Sequence, residues 1–397
     1  MEKLAIHGGQ PVRETKIHYG KQYIDDDDVT AVATTLKGSL ITQGPKVSAF
    51  EHDLCVLTRA KYAVVLSNGT AALHIACLAA GIVPGDEVIT TPMTFAASAN
   101  CILYCGATPV FADIDPRTYN ISPDSIRDKI TPKTKAIIVV DFTGQAVELD
   151  EIKSICTDHD LILIEDASHA IGTKYNGTPI GSIADMTTFS FHPVKTITGG
   201  EGGAVTTNDP ELFKRLSLFR THGITREKSL MVHESHGPWY YEQLELGYNY
   251  RITDFQAALL SSQLKKLPLF SSRRKKIAQM YDLAFTKIDG IVLQESIPQS
   301  DTTRHLYIIQ LELEKFSVSR REIFEALYAE NVCPNVHYIP VYYLPYYEKL
   351  GYERGLCPNA ERLYERILSI PLYYGMTDDD VADTIRAIEK VLTHYRK

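Results

Sequence analysis

Between residues 60 and 206 short β-branched runs alternate with segments of helical spacing, and this alternation constrains the fold more than any other feature of the chain. The strand-like runs fall at 62–66, 87–91, 108–111, 136–141, 161–166, 187–191 and 203–206. Helical patterns, with apolar residues three and four apart, fall at 70–80, 94–105, 211–221 and 253–266. Strands interleaved with helices in this way predict an α/β fold, with a mostly parallel seven-stranded sheet covered on both faces. Pro268 interrupts the helical pattern that ends in Gln263-Leu264-Lys265-Lys266, and a basic helix-like stretch, 271–287, follows it. The expected organisation is a large domain over 1–265, including an N-terminal arm, and a smaller C-terminal α/β domain over 266–397. The smaller part is expected to hold a strand near 306–313, a helix at 320–330 and a final helix from Asp379.

Length does not limit the core, because 397 residues suffice for one large and one small domain. No apolar run approaches the roughly 20 residues of a membrane-spanning helix. The first twenty residues lack the apolar stretch of a secretory signal, so the expected location is cytoplasmic. Seven scattered cysteines without a C-x-x-C pair suit reduced thiols. A net charge of −8 offers no basic patch for nucleic acid. No metal is expected: Asp25–Asp28 read as carboxylates opening a helix, and His222, His233 and His236 lack accompanying carboxylates.

Three motifs carry chemistry. Ser67-Asn68-Gly69-Thr70-Ala71-Ala72-Leu73 ends a strand and opens an Ala-rich helix, where backbone N–H groups and the helix dipole favour an anion. An ordinary helix cap by Asn or Thr explains the same residues. Glu165-Asp166-Ala167-Ser168-His169 follows the strand 161–164, at the edge where α/β folds place ligands. An aspartate there suits a charge-assisted bond to the protonated nitrogen of a pyridine cofactor, or it caps the next helix. The third motif, Ser190-Phe191-His192-Pro193-Val194-Lys195, leads into Gly199-Gly200-Glu201-Gly202-Gly203. A lysine between an apolar strand and a glycine-rich loop is desolvated, which lowers its pKa and favours Schiff-base chemistry. That loop leads into a strand rather than opening a helix, so it is not a dinucleotide-binding turn.

The segments SNGTAAL, EDASHA, SFHPVK with GGEGGAV, and LGYNYRITDFQAALLSSQL occur in this order and at these spacings in the DegT/DnrJ/EryC1/StrS sugar aminotransferases, a family of fold-type I PLP enzymes that the chain resembles over nearly its whole length. Within it, IHYGKQYID, LITQGPKVSAFE, SFHPVKTITGGEGG and VHYIPVYYLPYYEKLGY are most similar to the C4 aminotransferases of pseudaminic acid biosynthesis. The resemblance implies pyridoxal 5′-phosphate (PLP) as cofactor and Lys195 as the catalytic lysine that carries it. It implies Asp166 as the partner of the ring nitrogen, His169 beside the phenolic oxygen or ring, Gly69, Thr70 and Ser190 as a phosphate cup, and Phe95 stacked on the ring. A core role for Phe95 is the alternative. Asn249 would reach the cofactor of a neighbouring subunit, so a homodimer with shared sites is expected. Tyr19, Thr42, Asn68, His337 and Tyr338 would contact the sugar nucleotide, with Tyr342, Tyr343, Tyr346 and Tyr347 forming either a stacking pocket or a tyrosine-rich loop.

The implied reaction moves an amino group from L-glutamate to C4 of a UDP-linked 4-keto-6-deoxy-N-acetylhexosamine. A family 3-dehydratase would carry histidine in place of Lys195. A C3 aminotransferase and a PLP-binding regulator without turnover are the remaining alternatives.

Overall fold

The computed structural model describes residues 2–397. Its main sheet is made of β1 (Tyr62–Leu66), β2 (Glu87–Thr90), β3 (Thr108–Phe111), β4 (Thr134–Val140), β5 (Ile162–Asp166), β6 (Met186–Ser190) and β7 (Gly203–Thr207). Their spatial order is β1-β7-β6-β5-β4-β2-β3. Strand β7 lies antiparallel between β1 and β6, and the remaining pairs are parallel. The expected α/β architecture, a large and mostly parallel seven-stranded sheet of the fold-type I kind, is what the chain adopts.

The sheet is buried on both faces because its residues alternate between two cores. Val65, Ile137, Leu163 and Ala204 enter one hydrophobic cluster, and their neighbours Val64, Ile138, Ile164 and Val205 enter the other. Successive side chains of a strand point to opposite faces, so runs apolar at every position are stable only with helices on both sides. The helices Pro45–Thr58 and Leu149–Asp158 supply one side, and Gly69–Ala79 and Ala97–Tyr104 the other.

The helix break expected at Pro268 is absent. A single helix, Asp254–Phe285, runs through it for 32 residues. Proline lacks one N–H and ordinarily costs about 3 kcal/mol inside a helix. Here Leu267 and Phe270 on either side of it are buried in the main core, and this packing outweighs the lost bond. The same helix then contributes Ile277, Ala278, Tyr281 and Phe285 to a second core. No break in the backbone therefore marks a boundary at 265/266. That second core surrounds an antiparallel three-stranded sheet, Ile291–Leu293, Tyr307–Leu311 and Ile367–Ile370, with the helices Arg320–Ala329 and Asp378–Tyr395. The N-terminal arm, placed by sequence with the large domain, packs Leu4 and Ile17 into this C-terminal core. Ile17–His18 pairs in parallel with Val332–Cys333.

Asp25 caps the helix Asp26–Leu36, whose flank is tied to the long helix by Gln263 and Lys266 on Asp28. Among the described residues no helix is long and apolar enough to cross a membrane.

Candidate active site

The carboxyl ends of β4, β5 and β6 open onto a cleft of about 870 Å³. One end of the cleft is the first turn of the helix Gly69–Ala79. Asn68 caps it, its Oδ1 accepting from Ala71 N–H at 2.8 Å. Gly69 and Thr70, as the first two helical residues, have no intrahelical acceptor for their amides. Both line the cleft beside Ser190, the last residue of β6. Glycine is required at this point: a Cβ on Gly69 would stand 2.9 Å from Ser190 Cβ, and one on Gly203 only 2.3 Å from the Asn68 carbonyl oxygen. The strand ends thus close on the helix start and leave amides and hydroxyls facing one small volume, an anion cradle.

Asp166 closes β5 and is 4% exposed. Its Oδ2 accepts from Ser98 Oγ at 2.7 Å and its Oδ1 from Ser168 N–H at 3.1 Å. Ser98 is itself hydrogen-bonded to Thr94 at 2.8 Å. The carboxylate is therefore held by neutral donors, with no arginine or lysine in a salt bridge to it among the described residues. Lys195 lies on the turn after β6, half-buried with its remaining surface on the cleft. Burial pulls its ammonium down to about 8, while the charge of Asp166 opposes the shift.

His169 is buried and faces two partners. Its Nε2 lies 3.1 Å from the Tyr338 hydroxyl, and its ring lies 4.4 Å, centroid to centroid, from that of His305. Its Nδ1 is buried without a hydrogen-bond partner. Burial and the nearby Lys195 charge hold His169 and His305 well below the ordinary imidazole range, and bring His337 down to about 4. These rings are neutral at physiological pH.

Of the residues selected from sequence, Tyr19, Asn68, Gly69, Thr70, Phe95, Asp166, His169, Ser190, Lys195, His337 and Tyr338 line this one cleft. Phe95 is 64% exposed, so its ring is a wall open to the cleft and not part of the core. Tyr19 packs on His337, with ring centroids 5.0 Å apart. Tyr342 and Tyr347 are buried in a separate cluster, and Tyr338 is the tyrosine of that group that reaches the cleft. Thr42 and Asn249 do not reach the cleft of their own chain. Both are exposed, and both are bridged to neighbouring stretches, Thr42 to Thr253 and Asn249 to Thr221. Ser98 and His305 were missed by sequence reasoning. Ser98 sits inside a helix of ordinary apolar spacing, and His305 precedes a strand 136 positions after His169, so no local pattern singles either out.

The arrangement fits PLP on observations independent of any family. The cradle suits a phosphate, Phe95 offers a free aromatic face, Asp166 is an ionisable acceptor at the cleft floor, the Nδ1 of His169 lacks a partner, and Lys195 is desolvated. Comparison with known proteins agrees. The model of the DegT/DnrJ/EryC1/StrS aminotransferase family matches residues 22–389. The chain belongs to this family. Enzymes of the family depend on PLP, and the chain is accordingly a PLP-dependent sugar aminotransferase.

Among its relatives in the family, the spore coat polysaccharide biosynthesis protein SpsC of Bacillus subtilis is 42% identical over 94% of this chain and 96% of its own length. The UDP-4-amino-4,6-dideoxy-N-acetyl-beta-L-altrosamine transaminase of Campylobacter jejuni is 40% identical over 96% of this chain and 99% of its own. Among solved structures, Helicobacter pylori PseC, an aminotransferase involved in the biosynthesis of pseudoaminic acid, superposes with a TM-score of 0.89 at 31% identity, covering 96% of this chain and all of the other. The PLP form of the sugar aminotransferase Spr1654 from Streptococcus pneumoniae superposes at 0.88 with 31% identity, over 96% of this chain and 99% of its own.

Proposed function

We propose that this enzyme moves the amino group of L-glutamate to C4 of UDP-2-acetamido-2,6-dideoxy-β-L-arabino-hexos-4-ulose, as a cytoplasmic homodimer supplying pseudaminic acid-type biosynthesis. The observation that carries the reaction type is one cleft holding a desolvated lysine, a buried aspartate and a helix-start anion cradle. The sugar and its position are supported by the C. jejuni transaminase and the H. pylori aminotransferase to which the chain is similar.

Bound PLP supplies a carbonyl that condenses with amines and a ring that delocalises the electrons left at a deprotonated carbon. Gly69, Thr70 and Ser190 anchor its phosphate. Phe95 would lie against its ring, and Asp166 would hold a proton on the ring nitrogen. The neutral His169, held by Tyr338, orients the ring through its free Nδ1. Lys195 would hold the cofactor, and its amine would take the proton from the donor's α-carbon. A lysine held near 8 has an appreciable neutral fraction at physiological pH, as this role needs. Tyr19, Asn68, His337 and Tyr338 receive the sugar nucleotide.

Thr42 and Asn249 then act across the dimer. Thr42 is bridged to Thr253, four residues after Asn249, and Ile41 C=O accepts from Asp254 N–H at 2.9 Å, so both predicted contacts belong to one region of the chain's surface. Two exposed residues that do not line their own cleft support the reading that they complete the partner's site.

The test follows visible absorbance of the PLP-loaded protein. Loss of the lysine-bound cofactor's band on adding L-glutamate, and its return on adding the UDP-linked 4-keto sugar, is the expected result. A band insensitive to glutamate overturns the donor assignment. A band that bleaches but does not return with this sugar overturns the acceptor and points to another nucleotide keto sugar.

A further inference from the structure

Two carboxyl groups behind the cleft are left over by the reaction just described. Asp141 directly follows β4, and Glu165 is the residue before Asp166 on the adjacent β5. Both are 0% exposed. One oxygen of each has a donor: Val147 N–H donates to Asp141 Oδ1 at 3.1 Å, and Thr187 Oγ1 to Glu165 Oε2 at 2.8 Å. The other two oxygens, Asp141 Oδ2 and Glu165 Oε1, are buried without a donor. In the parallel register Val139 pairs with Glu165, and Asp141 lies two residues further on, so both carboxyl groups fall on one face of neighbouring strands. Carboxylate oxygens only accept, so two such oxygens buried without a donor on neighbouring strands call for a proton, and one proton between them supplies it. Burial pushes both groups above the ordinary carboxylate range; the charge of Glu165 adds to this for Asp141, and that of Asp166 adds to it for both.

We propose that Asp141 and Glu165 are positioning residues for the cofactor: sharing one proton, they present a single fixed negative charge behind Asp166 and reinforce its hold on the protonated ring nitrogen. The proposal rests on the assignment of Asp166 made above. A doubly ionised pair would set two unscreened buried charges on neighbouring strands, whereas a neutral pair would leave Asp166 facing the ring alone. The backbone joins the two as well, since Asp141 N–H donates to the Asp166 carbonyl at 3.1 Å.

Amide substitutions separate charge from shape. In Asp141→Asn or Glu165→Gln the amide NH2 replaces the shared proton, so one negative charge remains, and the double variant carries none. In the PLP-loaded protein, the pH midpoint of the lysine-bound cofactor's visible band is expected to stay near wild type in both single variants. In the double variant it should fall by roughly one unit, the order expected for a unit charge removed at ~10 Å in an interior of effective dielectric ~20. Cofactor-free protein gives a second readout. The wild-type pair keeps a proton that the unfolded chain has released, so wild-type stability falls as pH rises from the unfolded carboxylate range into neutrality. That fall is expected to be smaller in either single variant, which folds and unfolds with no shared proton to lose.

A single variant that shifts the band as far as the double, a double variant that leaves it unmoved, or single variants that keep the full wild-type fall in stability would each overturn the proposal. Asp166→Ala distinguishes the two levels. If it leaves the band's midpoint and turnover as in wild type, the reading of the site fails. If it shifts the midpoint and the double variant does not, only the shared-proton role fails.

Discussion

Replacing Lys195 by methionine isolates the electrostatic cost of the cleft in the absence of any cofactor. Burial holds the Lys195 ammonium at about 8 against an ordinary 10.5, with Asp166 pulling the other way. That difference corresponds to about 3 kcal/mol at most, and water reaching the amine through the open cleft brings it nearer 2 kcal/mol. The folded protein releases the lysine proton at lower pH than the unfolded chain does. Between about 8 and 10.5 the unfolded chain therefore binds more protons, and stability rises with pH. Below that window the folded protein bears the whole cost of a desolvated ammonium. Methionine fills a similar volume without a charge. Cofactor-free Lys195→Met is thus expected to be more stable than wild type by about 2 kcal/mol at pH 7, the gap closing as pH approaches 10.5. Denaturant unfolding of both proteins at matched concentration, from pH 7 to pH 10, measures it. A gap that stays constant across that range, or a methionine variant less stable than wild type at pH 7, would refute the assignment of a strained, desolvated lysine.

Other perturbations read other parts of the site. Ser98→Ala removes the 2.7 Å bond to the buried Asp166 carboxylate, a loss of about 1–3 kcal/mol, and is expected to lower kcat while leaving KM for glutamate nearly unchanged; steady-state kinetics with a matching unfolding curve decide it. Lys195→Ala is expected to abolish turnover and Asn249→Ala to impair it, and mixing the two proteins under conditions of demonstrated subunit exchange should restore part of the activity. No recovery after exchange would count against a site shared between subunits.

Much of this protein is written in local pattern. Strand and helix spacing announced seven strands in their chain order, because alternation and burial leave a mark at every second or fourth position. The cleft residues that end strands were legible for the same reason. A strand that stops at Asp166 or Ser190 sets that side chain at the carboxyl edge whatever surrounds it, and a lysine between a buried strand and a glycine-rich loop has little water around it. Gly69 and Gly203 were visible as glycines, but the crowding that requires them, a strand end meeting a helix start, exists only once the strands are ordered in space.

Tertiary structure alone decided the rest. Pro268 reads as a helix stop, yet packing on both sides carries the helix through it, because burial of Leu267 and Phe270 exceeds the cost of one missing N–H. The N-terminal arm lies against the core of the C-terminal part through contacts some three hundred residues apart, such as Ala5 N–H on Glu330. Ser98 reaches Asp166 across 68 residues, and His305 reaches His169 from another element altogether. The same holds for Asp141 and Glu165, which come from separate strands and meet only through the sheet's parallel register. Sequence determined which segments form and what chemistry each carries to its end. Which of those ends meet, and so which charges are paired, desolvated or left to share a proton, depended on chain-distant packing that no local periodicity encodes.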